Sequence, residues 1–284
     1  MSESEVQSEV PQKRAKSIFL YGRPGDGKTS MIRTITGLQD GSPCWILDLD
    51  CKVLEMENLR PYIEDERLIV TEIPSELVED SLAARAAGSD SYKSKRGGEF
   101  FTMSSPKVQP RGYVKLCELI DSADSFIKEH GVKSIAVDCF TTAVEHLYRL
   151  VSFITKKGTI EESAWNMVLM NEEELLTAIK LLPVNYVIVT AHSKLVFNEE
   201  SGMLSQIVPA VQGDMKNKII KFFTEAYLFD NIVGARGIEY RVRTRSSVLA
   251  QARTSRFLNE FEPADFRVIF DKDYRMEYYA KTSK

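Results

Sequence analysis

Short, nearly continuous apolar runs punctuate the first two thirds of the chain, at residues 17–21 (SIFLY), 45–50 (WILDLD), 67–73 (RLIVTEI), 134–138 (SIAVD) and 186–190 (YVIVT). Runs this short, without polar alternation, are expected of strands buried on both faces of a parallel sheet. Between them the apolar positions change to helical spacing. Leu116, Leu119, Ile120, Ala123 and Phe126 mark one helix over 115–130, with Gly131 as its stop. Residues 142–155 and 167–182 read as two more helices, the second ending before Pro183. Strand and helix in alternation predict an α/β domain, its mainly parallel sheet flanked by helices. After residue 224 the pattern turns strand-rich, with candidates at 225–230, 238–245 and 266–270.

Two stretches stand outside this alternation. Residues 1–16 are polar and charged and read as a disordered tail. Residues 81–113 are rich in Ser, Gly and Ala and carry six basic residues against two acidic ones, which reads as a mobile insertion. The expected division is a tail at 1–16, a core at 17–257 holding the insertion, and a C-terminal strand extension at 258–284.

Composition narrows the setting. No 18 apolar residues run together, and the N-terminus lacks the apolar stretch of a secretory signal, so a cytoplasmic protein without a membrane span is expected. Four cysteines at scattered spacings, with no C-x-x-C pair, argue against a disulfide framework and a cysteine-based zinc site. A net charge of −4 argues against coating of nucleic acid by bulk charge but leaves room for a local basic groove.

The sharpest chemical signal is GRPGDGKT at 22–29, a full match to G-x-x-x-x-G-K-[ST] between a predicted strand and a predicted helix at 30–36. Glycines let such a loop curl its N–H groups around phosphates, and the helix adds its positive end. The loop residues Gly22, Arg23, Pro24, Gly25, Asp26, Gly27, Lys28, Thr29 and Ser30 are therefore expected to bind ATP. Lys28 would contact the β- and γ-phosphates and Thr29 would hold Mg²⁺. A second metal-holding carboxylate is expected at a neighbouring strand end. Asp138 is the natural candidate, with Asp48 and Asp50 as competitors.

Other features fall in a recognisable order after the loop. The acidic strand end at 45–50, Thr-Ala-His at 190–192, GDMKNK at 213–218 and the arginine strand YRVRTR at 240–245 follow one another. Over 17–257 this order resembles a phage-encoded group of short RecA-like P-loop ATPases active in recombination and single-strand annealing. The resemblance implies a RecA-like core in which Asp50 activates the attacking water and His192 senses the γ-phosphate. It places DNA-binding loops at 153–165, around Lys156-Lys157-Gly158, and at 194–218. It implies that Arg253 and Arg256 reach ATP held by an adjacent protomer of a homo-oligomeric ring or filament. The implied partners are single-stranded DNA and a single-strand-binding protein, in a host cytoplasm.

The arginine strand has its own reading. With a period of two, Arg241, Arg243 and Arg245 share one face, and across 235–256 six Arg stand against one Glu. That face is solvated, tracks phosphates or contacts a neighbouring subunit. Two other functions stay open: a P-loop phosphotransferase on a nucleotide or small molecule, with 81–113 as its lid, and a nucleotide-switched interaction protein that handles no DNA.

Overall fold

A computed structural model of the chain describes residues 14–75, 77–78, 108–155, 162–234 and 237–282. In chain order its strands are β1 (Lys16–Gly22), β2 (Cys44–Asp48), β3 (Leu68–Glu72), β4 (Leu77–Val78), β5 (Val108–Gln109), β6 (Ser134–Asp138) and β7 (Tyr186–Phe197). They continue as β8 (Leu204–Pro209), β9 (Glu225–Phe229), β10 (Ile232–Gly234), β11 (Gly237–Glu239), β12 (Arg241–Arg243) and β13 (Phe261–Pro263). The main sheet runs β13-β12-β9-β1-β7-β6-β2-β3, with β8 paired to β7. From β9 to β3 every neighbouring pair is parallel, while β12, β13 and β8 join antiparallel.

Alternation along the buried strands builds a core on each face. Phe19, Tyr21, Trp45, Leu47, Ile135 and Val137 point to one side, under the helices Gly112–Asp121, Phe140–Thr155 and Glu162–Lys180. Ile18, Leu20, Cys44, Ile46, Ala136 and Ile188 point to the other, under the helices Lys28–Ile32 and Phe266–Phe270. Both sides are covered, so these strands need no polar face. Each large aliphatic side chain buried this way contributes about 1.5–3 kcal/mol.

Several expectations change. The helix over 115–130 is two, Gly112–Asp121 and Ala123–His130. They divide at Ser122, whose hydroxyl donates to the Glu118 carbonyl at 2.7 Å, a local bond that competes with helix continuation. Gly131, at φ +63°, ends the second as expected. The candidate strand at 266–270 is the helix Phe266–Phe270, because Asp265 caps it by accepting the Arg267 N–H at 2.8 Å. A further helix, Lys272–Thr282, follows, so the C-terminal segment supplies one short strand, β13, and two helices rather than a strand extension. The predicted loop at 194–218 is largely ordered as a β7–β8 hairpin and the short helix Met215–Lys218. The candidate strand at 238–245 is cut at Tyr240, with β11 before the break and the arginine-bearing β12 after it. Residues 1–13 of the tail, 79–107 in the insertion region and the Lys156-Lys157-Gly158 stretch lie outside the described residues. Among the described residues no helix is long and apolar enough to cross a membrane.

Candidate active site

The parallel strands place the C-terminal ends of β1, β2 and β6 level with the middle of β7, and the site assembles along that edge. β1 runs out into the glycine loop. Gly25 and Gly27 take φ of +83° and +94°, conformations that L side chains rarely adopt. A Cβ on Gly27 would also lie 2.9 Å from the Tyr240 ring. Asp26 braces the turn by accepting the Arg23 N–H at 2.6 Å, and Asn231 donates to the Asp26 carbonyl at 3.0 Å. Lys28 is buried, and its ammonium donates to the carbonyls of Gly22 at 3.0 Å and Arg23 at 2.8 Å. The charge is thus held at the centre of the loop. Burial lowers the Lys28 pKa from its ordinary value, with Cys139 and Asp138 opposing that shift.

Asp138 ends β6 directly beside the loop. One carboxylate oxygen accepts the Thr29 hydroxyl at 2.7 Å and the other accepts the Thr190 hydroxyl from within β7. Burial raises the carboxyl above its ordinary range, and the two hydroxyls pull it back. A hydroxyl and a carboxylate in contact form an all-oxygen donor set, the type that suits Mg²⁺. Asp48 has a different task. It is fully buried and accepts the N–H groups of Lys52 and Val53 at 2.8 and 2.7 Å, closing the turn that presents Asp50.

Asp50 and His192 meet across the cleft. Asp50 accepts the Thr142 hydroxyl and lies 3.8 Å from His192 Nε2. Its carboxylate raises the His192 pKa to about 9, with Cys139 adding to the rise and burial opposing it. In return, His192 and then Thr142 hold Asp50 below the usual carboxylate range. A carboxylate so engaged is a weak base, better suited to orienting a water than to taking its proton. His192 Nδ1 is buried without a partner among the described residues. The Cys139, Asp50 and His192 ligand atoms lie within 4.8 Å of one another. That thiol-containing set suits a softer ion than Mg²⁺.

These groups line a cleft of about 410 Å³ whose walls include Pro24, Lys28, Thr29, Arg33, Tyr240 and Ala264. Ser30, at its rim, accepts a hydrogen bond from Asn58 at 2.9 Å. The structure therefore gathers the loop residues, Asp138, Asp50 and His192. It does not bring Arg253 or Arg256 to the cleft of the same chain. Arg253 is exposed and pairs through its backbone with Ala226. Arg256 stacks at 4.5 Å over the Phe270 ring, near the opposite end of the sheet. The arginine strand is satisfied mostly within the chain. Arg241 and Arg243 flank the Phe261 ring at 4.0 and 4.3 Å and both face Asp230, and Arg243 also pairs with Glu260. Arg245 donates to the Leu258 carbonyl at 2.8 Å.

Sequence reasoning missed Thr142, Thr190 and Tyr240. The two threonines sit one turn or one strand away from recognised residues and become visible only through sheet register.

A family model described as AAA domain matches residues 14–227. None of the curated proteins compared with the chain matches it. Among solved structures, the KaiC-like protein PH0186 from the hyperthermophilic archaeon Pyrococcus horikoshii OT3 aligns with 88% of this chain and 85% of its own, at 12% identity and a TM-score of 0.45. The matched family is broader than the recombination group that the motif order resembles. The chain belongs to the AAA-domain family, and it is an ATP-binding and ATP-hydrolysing P-loop NTPase.

Proposed function

We propose that this ATPase works as a nucleotide-dependent switch, in which the state of the bound ATP passes through Asp50 and His192 to the β7–β8 hairpin. One observation carries the reading: His192 belongs to the same strand that continues into the hairpin. Its N–H donates to the Thr141 hydroxyl at 2.9 Å, and its carbonyl accepts the Ala210 N–H at 2.7 Å. The His192 backbone is thus tied both to the helix Phe140–Thr155 and to the base of the hairpin. Protonated imidazole donates from both nitrogens. Nε2 faces Asp50, so a charge change at the nucleotide is felt by the imidazole through that pair. Lys28 neutralises phosphate charge, and Asp50 orients the attacking water. Mg²⁺ held by Thr29 and Asp138 would supply further charge neutralisation.

Two partners for the hairpin rest on different observations. The hairpin carries Lys194 against Glu199 and Glu200, and exposes Leu195, Phe197 and Met203. Exposed apolar side chains flanking the polar turn, without net positive charge, favour a protein surface. The order of motifs favours single-stranded DNA, in recombination or annealing, as in the short RecA-like ATPases.

ATP hydrolysis measured with and without single-stranded DNA, across a salt series, separates them. Stimulation by DNA that falls steeply with salt supports the DNA partner. Turnover unaffected by DNA leaves the protein partner. Turnover that instead depends on a small phosphate acceptor would replace the switch by a phosphotransferase.

A further inference from the structure

The end of the sheet opposite the glycine loop holds a second cavity, of about 370 Å³, that neither the nucleotide site nor the hairpin uses. Arg14 and Lys16 reach it from the start of β1, Lys133 from the residue before β6, and Tyr186 from the first position of β7. Parallel register forces these together, since Lys16 and Ser134 both pair with Tyr186. The backbone fixes the arrangement further. Lys16 N donates to the Asn185 carbonyl at 2.9 Å, and Asn185 N donates to the Lys133 carbonyl at 2.8 Å. Three cationic side chains thus line one cavity with a single carboxylate, Asp40.

Gln39 is the second observation. It lines the same cavity at 7% exposure, and neither its amide nitrogen nor its amide oxygen has a hydrogen-bond partner among the described residues. A buried amide left unpaired is unfavourable, and most such groups find a partner. Its two N–H donors would serve an oxyanion well. A guanidinium fork, two ammonium groups and an amide donor form a set that recognises phosphate. The volume lies in the range of small-molecule pockets.

We propose that this cavity binds a phosphate-bearing anion, with Arg14, Lys16 and Lys133 supplying the charge and Gln39 a buried amide donor. The proposal is independent of the switch reading, because the site lies at the other end of the strands.

The test first fills the glycine loop with Mg²⁺ and a non-hydrolysable ATP analogue. Inorganic phosphate is then titrated into the full chain, followed by calorimetry and by the ¹⁵N signal of the Gln39 side-chain amide. A further phosphate should bind, more weakly as salt rises, and should shift that amide. The Arg14→Gln, Lys133→Gln double variant should lose at least about tenfold in phosphate affinity while its ATP hydrolysis stays unchanged. A parallel titration with a short single-stranded oligonucleotide lacking terminal phosphates distinguishes the sources. Competition between it and phosphate identifies a phosphodiester backbone, and binding of phosphate alone identifies a free phosphate ester. Absence of the further phosphate, or equal binding by the double variant, overturns the proposal.

Discussion

At the scale of single residues, the loop residues and the sensor pair were legible in different ways. Lys28 and Thr29 lie in one contiguous motif whose chemistry is local, so eight residues of sequence are enough to read it. Asp138 could be proposed because it closes an apolar run beside the P-loop, and Asp50 and His192 because the family resemblance implies their roles. Their partners could not, because Thr142 meets Asp50 across 92 positions and Thr190 meets Asp138 across 52. The Asp50–His192 pair makes a prediction with a definite sign. His192 is raised to about 9, so the stability it lends is fully present below the ordinary histidine pKa and is lost as pH rises through about 9. Asp50 is lowered, so its contribution is present above the ordinary carboxylate pKa and lost as pH falls below it. In Asp50→Asn the largest cause of the His192 shift is gone. The imidazole, followed by NMR, should then titrate lower, toward about 6.5. A midpoint unchanged near that of the wild type would mean that Asp50 does not hold it.

At the scale of elements, the parallel strands were read closely from their apolar runs, while boundaries and short C-terminal pieces were not. Phe266–Phe270 is mostly apolar and only five residues long, and periodicity alone cannot tell a buried strand from a buried helix at that length. Asp265 decided it by capping. The hairpin was read as a loop because its polar tip and its glycine hid the ladder between Ser193 and Pro209. The helix Glu162–Lys180 carries a further consequence. Glu172 is 1% exposed, has no hydrogen-bond partner among the described residues, and is raised by burial to about 8. The folded chain keeps a proton that the unfolded chain releases in the ordinary carboxylate range. Stability should therefore fall as pH rises from that range to about 8. Glu172→Gln removes this penalty. In denaturant titrations it should gain about 5 kcal/mol at high pH relative to wild type, and little near the ordinary carboxylate pKa. An equal effect at both pH values would show that the carboxyl is not buried as described.

At the scale of the whole molecule, the two ends of the sheet differ. The cleft lies at one end, and Arg256 packs near the other, against Phe270. We propose that Arg253 and Arg256 act on nucleotide held by a neighbouring copy, as the RecA-like resemblance implies. Such a contact is head-to-tail, so it closes into a ring or extends as a filament. Hydrolysis per subunit should rise with protein concentration. The Arg253→Ala, Arg256→Ala variant should lose turnover, by about tenfold or more, while keeping nucleotide affinity. Lys28→Ala should abolish turnover by itself, and mixing the two variants should restore part of it. Activity independent of concentration, with no rescue on mixing, would mean that each chain works alone.

The central claim is that nucleotide state reaches the hairpin through His192. Hydrogen exchange of the backbone amides of β7 beyond His192 and of β8 tests it most directly, with and without Mg²⁺ and a non-hydrolysable ATP analogue. Wild-type protein should show changed protection across Lys194–Val208 when nucleotide binds, because the sensor and the hairpin share one strand. His192→Ala should bind the analogue yet show no such change. The same change in the variant as in the wild type would contradict the account.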